Sequence, residues 1–152
     1  MKILVAQCNP MVGDLKGNTQ QILNVIESAK EKGENLVLFP ELTFCGYPPE
    51  DLVFHHAFIE KMDACLKEVI KASKGLSVIV GIARRQGKHL FNSAAIIDDR
   101  KLLGFQDKWL LPNYDLFNER RYFDPGKEIS PWEIQGKKIG VVICEDIWNH
   151  AG

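Results

Sequence analysis

Leu36-Val37-Leu38-Phe39-Pro40-Glu41 is the stretch from which the fold is read. Four consecutive apolar residues fit a strand buried on both faces, as in a sheet covered by helices. Pro40 has no N–H and stops the run abruptly, which leaves Glu41 at the carboxyl end of the strand. Upstream, Lys2 to Gln7 is another apolar, β-branched run, ended by Asn9-Pro10 and Gly13-Asp14. Between the two runs, Ile22, Val25, Ile26 and Ala29 recur at helical spacing. A helix is expected there, with Asn18 as N-cap and Gln21 at the capping-box position. Lys30 and Lys32 suit its negative end, and Gly33 suits the C′ position.

Downstream, Gly46-Tyr47-Pro48-Pro49 reads as a stiff loop. A second helix is expected from Ala57 to Ser73, with Phe58, Met62, Cys65, Leu66 and Val69 as its stripe and Gly75 as its stop. From Leu76 the period changes to two. Leu76 to Ala83, Phe91 to Asp98 and Lys101 to Gln106 read as consecutive strands, the last two joined by an Asp98-Asp99-Arg100 turn. Lys108 to Asp124 has neither period. Pro131 to Ile134 is a short strand, Gln135-Gly136-Lys137 a turn, and Lys138 to Ile143 a last strand whose two apolar faces both expect cover. Strand, helix, strand, helix and then a run of strands indicates α/β with a mixed sheet. No repeat or low-complexity linker marks a domain boundary.

Composition narrows the classes. A chain of 152 residues can bury roughly 68% of its unfolded surface and requires no metal or disulfide staple. Hydrophobic residues make up 45% and charged residues 26%, which argues against disorder, collagen and coiled coil. Lys+Arg is 19 against Asp+Glu 20, so the formal charge is -1 and leaves no footprint for nucleic acid or an anionic membrane. The longest apolar runs fall far short of the ~20 residues of a transmembrane helix. Met1 to Ala6 is too short for a signal peptide and runs into Gln7-Cys8-Asn9-Pro10 without a cleavage site. Cys8, Cys45, Cys65 and Cys144 are scattered, with no CxxC pair and no His at metal-ligand spacing. A reducing, cytoplasmic setting and no metal site are the expectation.

Glu41, Lys108 and Cys144 share one feature: each follows closely on the end of an expected strand. Ligands collect at such ends in layered α/β folds. A cysteine at a strand-to-turn junction can aim its sulfur outward, with the following backbone N–H groups favouring a thiolate. A carboxylate among Phe39, Leu42 and Phe44 is partly desolvated, which suits it to acid–base work. A lysine among Trp109, Leu110 and Leu111 can lend positive charge to an oxyanion. On pattern alone each has an ordinary alternative: a buried structural cysteine, an exposed turn acid, a surface lysine. His55-His56 reads as a helix start, and Arg84-Arg85 and Arg120-Arg121 as solvated or ion-paired pairs. Gly104, Gly126 and Gly140 belong to no phosphate-cradling loop.

Three segments carry a resemblance. Phe39-Pro40-Glu41-Leu42, Lys108-x-x-Leu111-Pro112 and Cys144-Glu145-Asp146-Ile147-Trp148 resemble, in order, the signatures of the nitrilase (carbon–nitrogen hydrolase) superfamily. Gly46 to Leu52 and Leu111 to Phe123 look like loops of the glutamine amidotransferase domains of glutamine-dependent NAD synthetases, with Asn118 where Asp is common. The resemblance implies a nitrilase-like α-β-β-α sandwich. It also implies Cys144 as nucleophile, Glu41 as general base, Lys108 as stabiliser of the tetrahedral intermediate and Glu119 as a supporting glutamate. Tyr47 and Tyr114 match pocket residues, and the backbone N–H of Glu145 would join Lys108 at the oxyanion.

The amidase half needs no cofactor on this reading. ATP and Mg would belong to a separate synthetase domain, which the chain does not contain. A complete domain of the family runs to ~260 residues, so the chain is expected to be its N-terminal part. Glutamine is the implied substrate, and a homo-oligomer the expected state. A free-standing amidase acting on another small amide, or an inactive fragment that only self-associates, are the alternatives.

Overall fold

The computed structural model describes residues 1–148. Five strands form one mixed sheet in the order β1 (Ile3–Val5), β2 (Leu36–Leu38), β3 (Ser77–Gln86), β4 (His89–Asp98) and β5 (Lys101–Asp107). The first three are parallel, joined by the crossover helices α1 (Leu15–Glu31) and α2 (His56–Ala72). The rest are antiparallel, with Ser77 opposite Asp98 and Gln86 opposite His89. Asp99 and Arg100 both adopt positive φ, as a tight hairpin turn requires.

Successive strand residues point to opposite faces. Val37, Val78, Val80, Ile82, Ala95 and Ile97 meet Ile22 and Ile26 of α1 and Met62 and Val69 of α2 in the main core. Leu36, Ile79, Ala94 and Ile96 face the other way, onto Ile134, Val141 and Ile143. That second layer is a hairpin of β6 (Trp132–Ile134) and β7 (Lys137–Ile139). Gln135 Nε2 ties it down by donating to Asn35 O at 2.8 Å and Ser77 Oγ at 2.9 Å. The Trp132 ring lies so close over Gly104 that a Cβ there would be 2.6 Å from it. Beyond the hairpin the same face is bare: Ile3 is 50% exposed, Val5 63% and Leu38 38%.

Two sequence expectations need correction. Helix α1 starts earlier than Asn18: Asp14 is the N-cap, accepting from Gly17 N at 2.9 Å. Asn18 is buried, and its amide binds Met11 N, Met11 O and Phe44 O. The last strand is shorter than Lys138 to Ile143. Its ladder ends at Ile139 opposite Trp132, because Pro131 precedes Trp132 and offers no N–H to extend it. Residues 140–143 continue unpaired, with Val141 and Ile143 buried and Val142 exposed.

Candidate active site

Glu41 begins a tight turn at the end of β2. Leu42 has φ 48°, and Thr43 Oγ1 donates to Pro40 O, so the chain reverses within a few residues. The turn packs directly on β3: a Cβ on Gly81 would lie 2.2 Å from Leu42 N, 2.4 Å from Pro40 O and 2.6 Å from Glu41 C. Only a residue without a side chain admits this approach.

Lys108 follows β5 directly, its backbone fixed by Lys108 N donating to Asn92 O and Gly126 N donating to Lys108 O, both at 2.8 Å. Its side chain is fully buried, and Nζ donates to Glu41 Oε1 and Glu119 Oε1, each at 2.7 Å. Burial alone would pull the ammonium pKa down, but the charge of Glu41 and the hydrogen bonds to both carboxylates raise it overall. Lys108 is therefore a held cation. Glu119, on the 3-10 turn Glu119–Arg121, is pushed up by burial against the opposing pull of Lys108. Tyr47 OH donates to Glu119 Oε1 at 2.9 Å, and burial with the Glu119 charge raises the phenol's pKa.

Cys144 opens a 3-10 turn with φ 46°, a left-handed conformation rare for a residue with a side chain. It is the most exposed of four free cysteines, whereas burial pushes Cys45 up to about 12. Cys144 and Glu41 line the same cavity of 160 Å³, together with Gly81, Ser93, Val142 and Ile143. The thiol pKa is raised, by partial burial first and then by Glu41, with Lys108 opposing. Burial and Glu41 thus work against the thiolate that the backbone N–H groups following Cys144 can favour.

Asp146 locks this turn in place. Its Oδ1 accepts from Trp109 N at 2.9 Å and Leu110 N at 2.7 Å, and its Oδ2 from Ile143 N at 3.1 Å. One buried carboxylate therefore joins the Cys144 turn to the Lys108 loop. On the outer side, Tyr114 OH donates to Glu145 Oε2 at 2.9 Å, and the two residues line an open cleft of 480 Å³. The phenol's pKa is raised, chiefly by that hydrogen bond. Phe117 touches both tyrosine rings, at 6.3 Å from Tyr47 and 5.6 Å from Tyr114.

The structure thus gathers Glu41, Lys108, Glu119 and Tyr47 into one hydrogen-bonded cluster beside Cys144, with Tyr114 and Glu145 paired on its outer side. Two contributors escaped sequence reasoning. Asn92, 1% exposed, donates from Nδ2 to Glu41 Oε1 at 2.6 Å and approaches Glu119 Oε2 at 3.4 Å. The signal available was Asn92-Ser93, two adjacent polar residues in a strand that is otherwise apolar. Asp146 appeared only as part of a motif. Among the described residues, no three His, Cys, Asp or Glu side chains are grouped to hold a metal. No helix of the described residues is long and apolar enough to cross a membrane.

Comparison with known proteins agrees with this geometry. The carbon-nitrogen hydrolase family matches residues 2–151. The chain is 38% identical over 151 residues to the glutamine-dependent NAD(+) synthetase of Thermotoga maritima, covering 98% of this chain and 26% of that protein. A solved glutamine-dependent NAD+ synthetase from Acinetobacter baumannii, in complex with ADP, superposes with a TM-score of 0.87 at 37% identity, over 97% of this chain and 28% of that one. An amidase from Nesterenkonia sp., 20% identical, shares the fold at a TM-score of 0.82 over 97% of this chain and 56% of its own. The chain spans about a quarter of the length of the curated relatives it matches. With the family match running nearly end to end, the chain belongs to the carbon-nitrogen hydrolase family.

Proposed function

We propose that the chain carries the glutaminase chemistry of a glutamine-dependent NAD synthetase. The observation that supports it best is the convergence of Glu41 and Glu119 on the buried Lys108 ammonium beside Cys144, in a chain similar to such synthetases.

An amide is a poor electrophile, so a sulfur nucleophile and ready oxyanion donors are needed. Glu41 removes the Cys144 proton as Sγ attacks the side-chain amide carbon of glutamine. Lys108 Nζ and the backbone N–H of Glu145 hold the oxyanion. Glu41 then passes the proton to the leaving nitrogen, the C–N bond breaks and ammonia departs. A γ-glutamyl thioester remains on Cys144. Glu41 next takes a proton from water, whose oxygen attacks the thioester; the C–S bond breaks, glutamate leaves and the proton returns to sulfur. Glu119 keeps Lys108 in place, and Tyr47, Tyr114 and Glu145 contact the substrate. The raised thiol pKa favours this order, since the proton leaves only when the base accepts it.

On this reading the chain is the N-terminal part of a larger amidase domain, and its ammonia feeds a synthetase domain that uses ATP and Mg. The amidase half itself needs no cofactor. The protein works in the cytoplasm, and the bare apolar face of β1 and β2 takes part in self-association. Glutamate release from glutamine by the chain, beside a Cys144→Ala control, tests the activity. Release that persists in the control would refute it.

A further inference from the structure

Asn92 sits inside β4, opposite Ala83 of β3, and its side chain reaches the two carboxylates from beneath. Around them the donors are distributed unevenly. Glu41 Oε1 receives both Asn92 Nδ2, at 2.6 Å, and Lys108 Nζ, at 2.7 Å. Glu119 Oε1 receives Lys108 Nζ and Tyr47 OH, and its Oε2 faces Asn92. Among the described residues, Glu41 Oε2 alone of the four oxygens accepts no hydrogen bond. Glu41 is also the more open of the pair, with a side chain 18% exposed against 5% for Glu119.

The amide's own orientation agrees. Asn92 Oδ1 is buried without a hydrogen-bond partner, an arrangement that is unfavourable for a polar atom. Turning the amide over would set that oxygen against Glu41 Oε1, acceptor facing acceptor, and remove one of that oxygen's two donors. The carboxylates therefore dictate the orientation, and the orphaned oxygen is the consequence.

Resting on the amidase reading above, we propose that Asn92 is a positioning residue: it holds Glu41 by Oε1 and so reserves Oε2 as the oxygen that takes the Cys144 proton. Asn92 and Lys108 together fix one carboxylate oxygen of Glu41, and the other is left facing the cavity it shares with Cys144.

Cys144 alkylation by iodoacetamide at neutral pH tests this on the chain itself. Rates are read by peptide mass spectrometry for the parent, Glu41→Gln, Asn92→Asp, Asn92→Leu and the double variants with Glu41→Gln. Glu41→Gln slows the parent, and the difference is the part of the rate that depends on the base. Both Asn92 variants lose about tenfold of that part, while adding either one to Glu41→Gln slows the reaction no further. Asn92→Asp loses it because a carboxylate cannot donate to Glu41 Oε1. A parent rate kept in folded Asn92 variants, or an equal loss in the Glu41→Gln background, overturns the proposal. Should Asn92→Leu fail to fold, the near-isosteric Asn92→Asp decides alone. Glutamine hydrolysis by the parent is measured beside it. A parent with the Glu41-dependent rate but no glutamate release defeats the choice of glutamine, while the alkylation series still judges Asn92.

Discussion

The Lys108 ammonium and the Glu119 carboxylate form a 2.7 Å ion pair in which neither side chain is more than 5% exposed. Removing one member of a buried pair leaves the other unpaired, at a cost of about 3–5 kcal/mol. Lys108→Met strands two carboxylates at once, because Glu41 shares the same ammonium. Thermal melts should show a drop of roughly 6–20 °C and glutamate release should vanish. Glu119→Gln keeps an oxygen for Lys108 and Tyr47, so its melt should fall less. Equal losses in both variants would contradict the shared-cation arrangement.

Lys108 also sets an alkaline boundary. Its pKa in the folded chain lies above the unfolded value, so between the two the folded chain holds a proton that the unfolded chain has released. The ion pair's stabilisation is thus complete below the unfolded value of ~10.4 and declines as pH rises through the folded one. Urea unfolding of the parent and Lys108→Met should converge as pH is raised through that window. A gap unchanged into strong alkali would contradict the assignment.

Cys144 should behave as a resting thiol at neutral pH, since burial and Glu41 raise its pKa. Thiolate absorbance, taken as the difference between parent and Cys144→Ala, should appear only above the ordinary cysteine value of ~8.5. Absorbance already present in neutral buffer would mean that a preformed thiolate does the chemistry.

Asp146→Ala removes an acceptor from three backbone donors, Trp109 N, Leu110 N and Ile143 N. Charge-assisted hydrogen bonds of this kind are worth about 1.5–3 kcal/mol each. The melt should fall clearly, and Cys144 alkylation should lose its dependence on Glu41 as the turn drifts from the Lys108 loop. Retained Glu41 dependence would show that the turn is held by something else.

Gly81→Ala pushes a methyl into the backbone of the Glu41 turn. Overpacking of this kind costs about 1–3 kcal/mol. The chain should still fold while glutamate release falls by more than tenfold, which circular dichroism and the hydrolysis assay would separate. Wild-type activity in this variant would mean that Glu41 tolerates displacement.

The bare face beside the hairpin carries Ile3, Val5 and Leu38. Exposed apolar strand surface drives association. Light scattering after size exclusion should find oligomers or aggregate, and Val5→Lys should shift the distribution towards monomer. A monomeric parent would count against a role for this face.

Much of this was legible in the chain. Glu41 and Lys108 were recognisable because a strand end is marked by an abrupt change from apolar to polar, and the turn at Asp99-Arg100 because its residues favour tight reversal. The same change flags Cys144, although its apolar run leaves the ladder at Ile139. Asn92 was not, because polar residues within a strand read as facing solvent, and the adjacent Ser93 leaves open which of the two points inward. Only the β3–β4–β5 register turns it inward beneath Glu41. Asn18 misled for a related reason. Asparagine serves caps and buried backbone ties equally well, and which it does here depends on Phe44 lying alongside.

The long reach of the site's contacts has a consequence for how the protein is made. Glu41, Asn92, Lys108 and Glu119 all precede Cys144 in the chain, and the Asp146 tie that seats the sulfur's turn reaches back to Trp109 and Leu110. Synthesis runs from the N-terminus, so the base, its cation and their supporting donors leave the ribosome before the nucleophile does. The sulfur therefore emerges after its base and cation, its turn is seated only once Asp146 follows, and a nascent chain carries no activated thiol ahead of its partners.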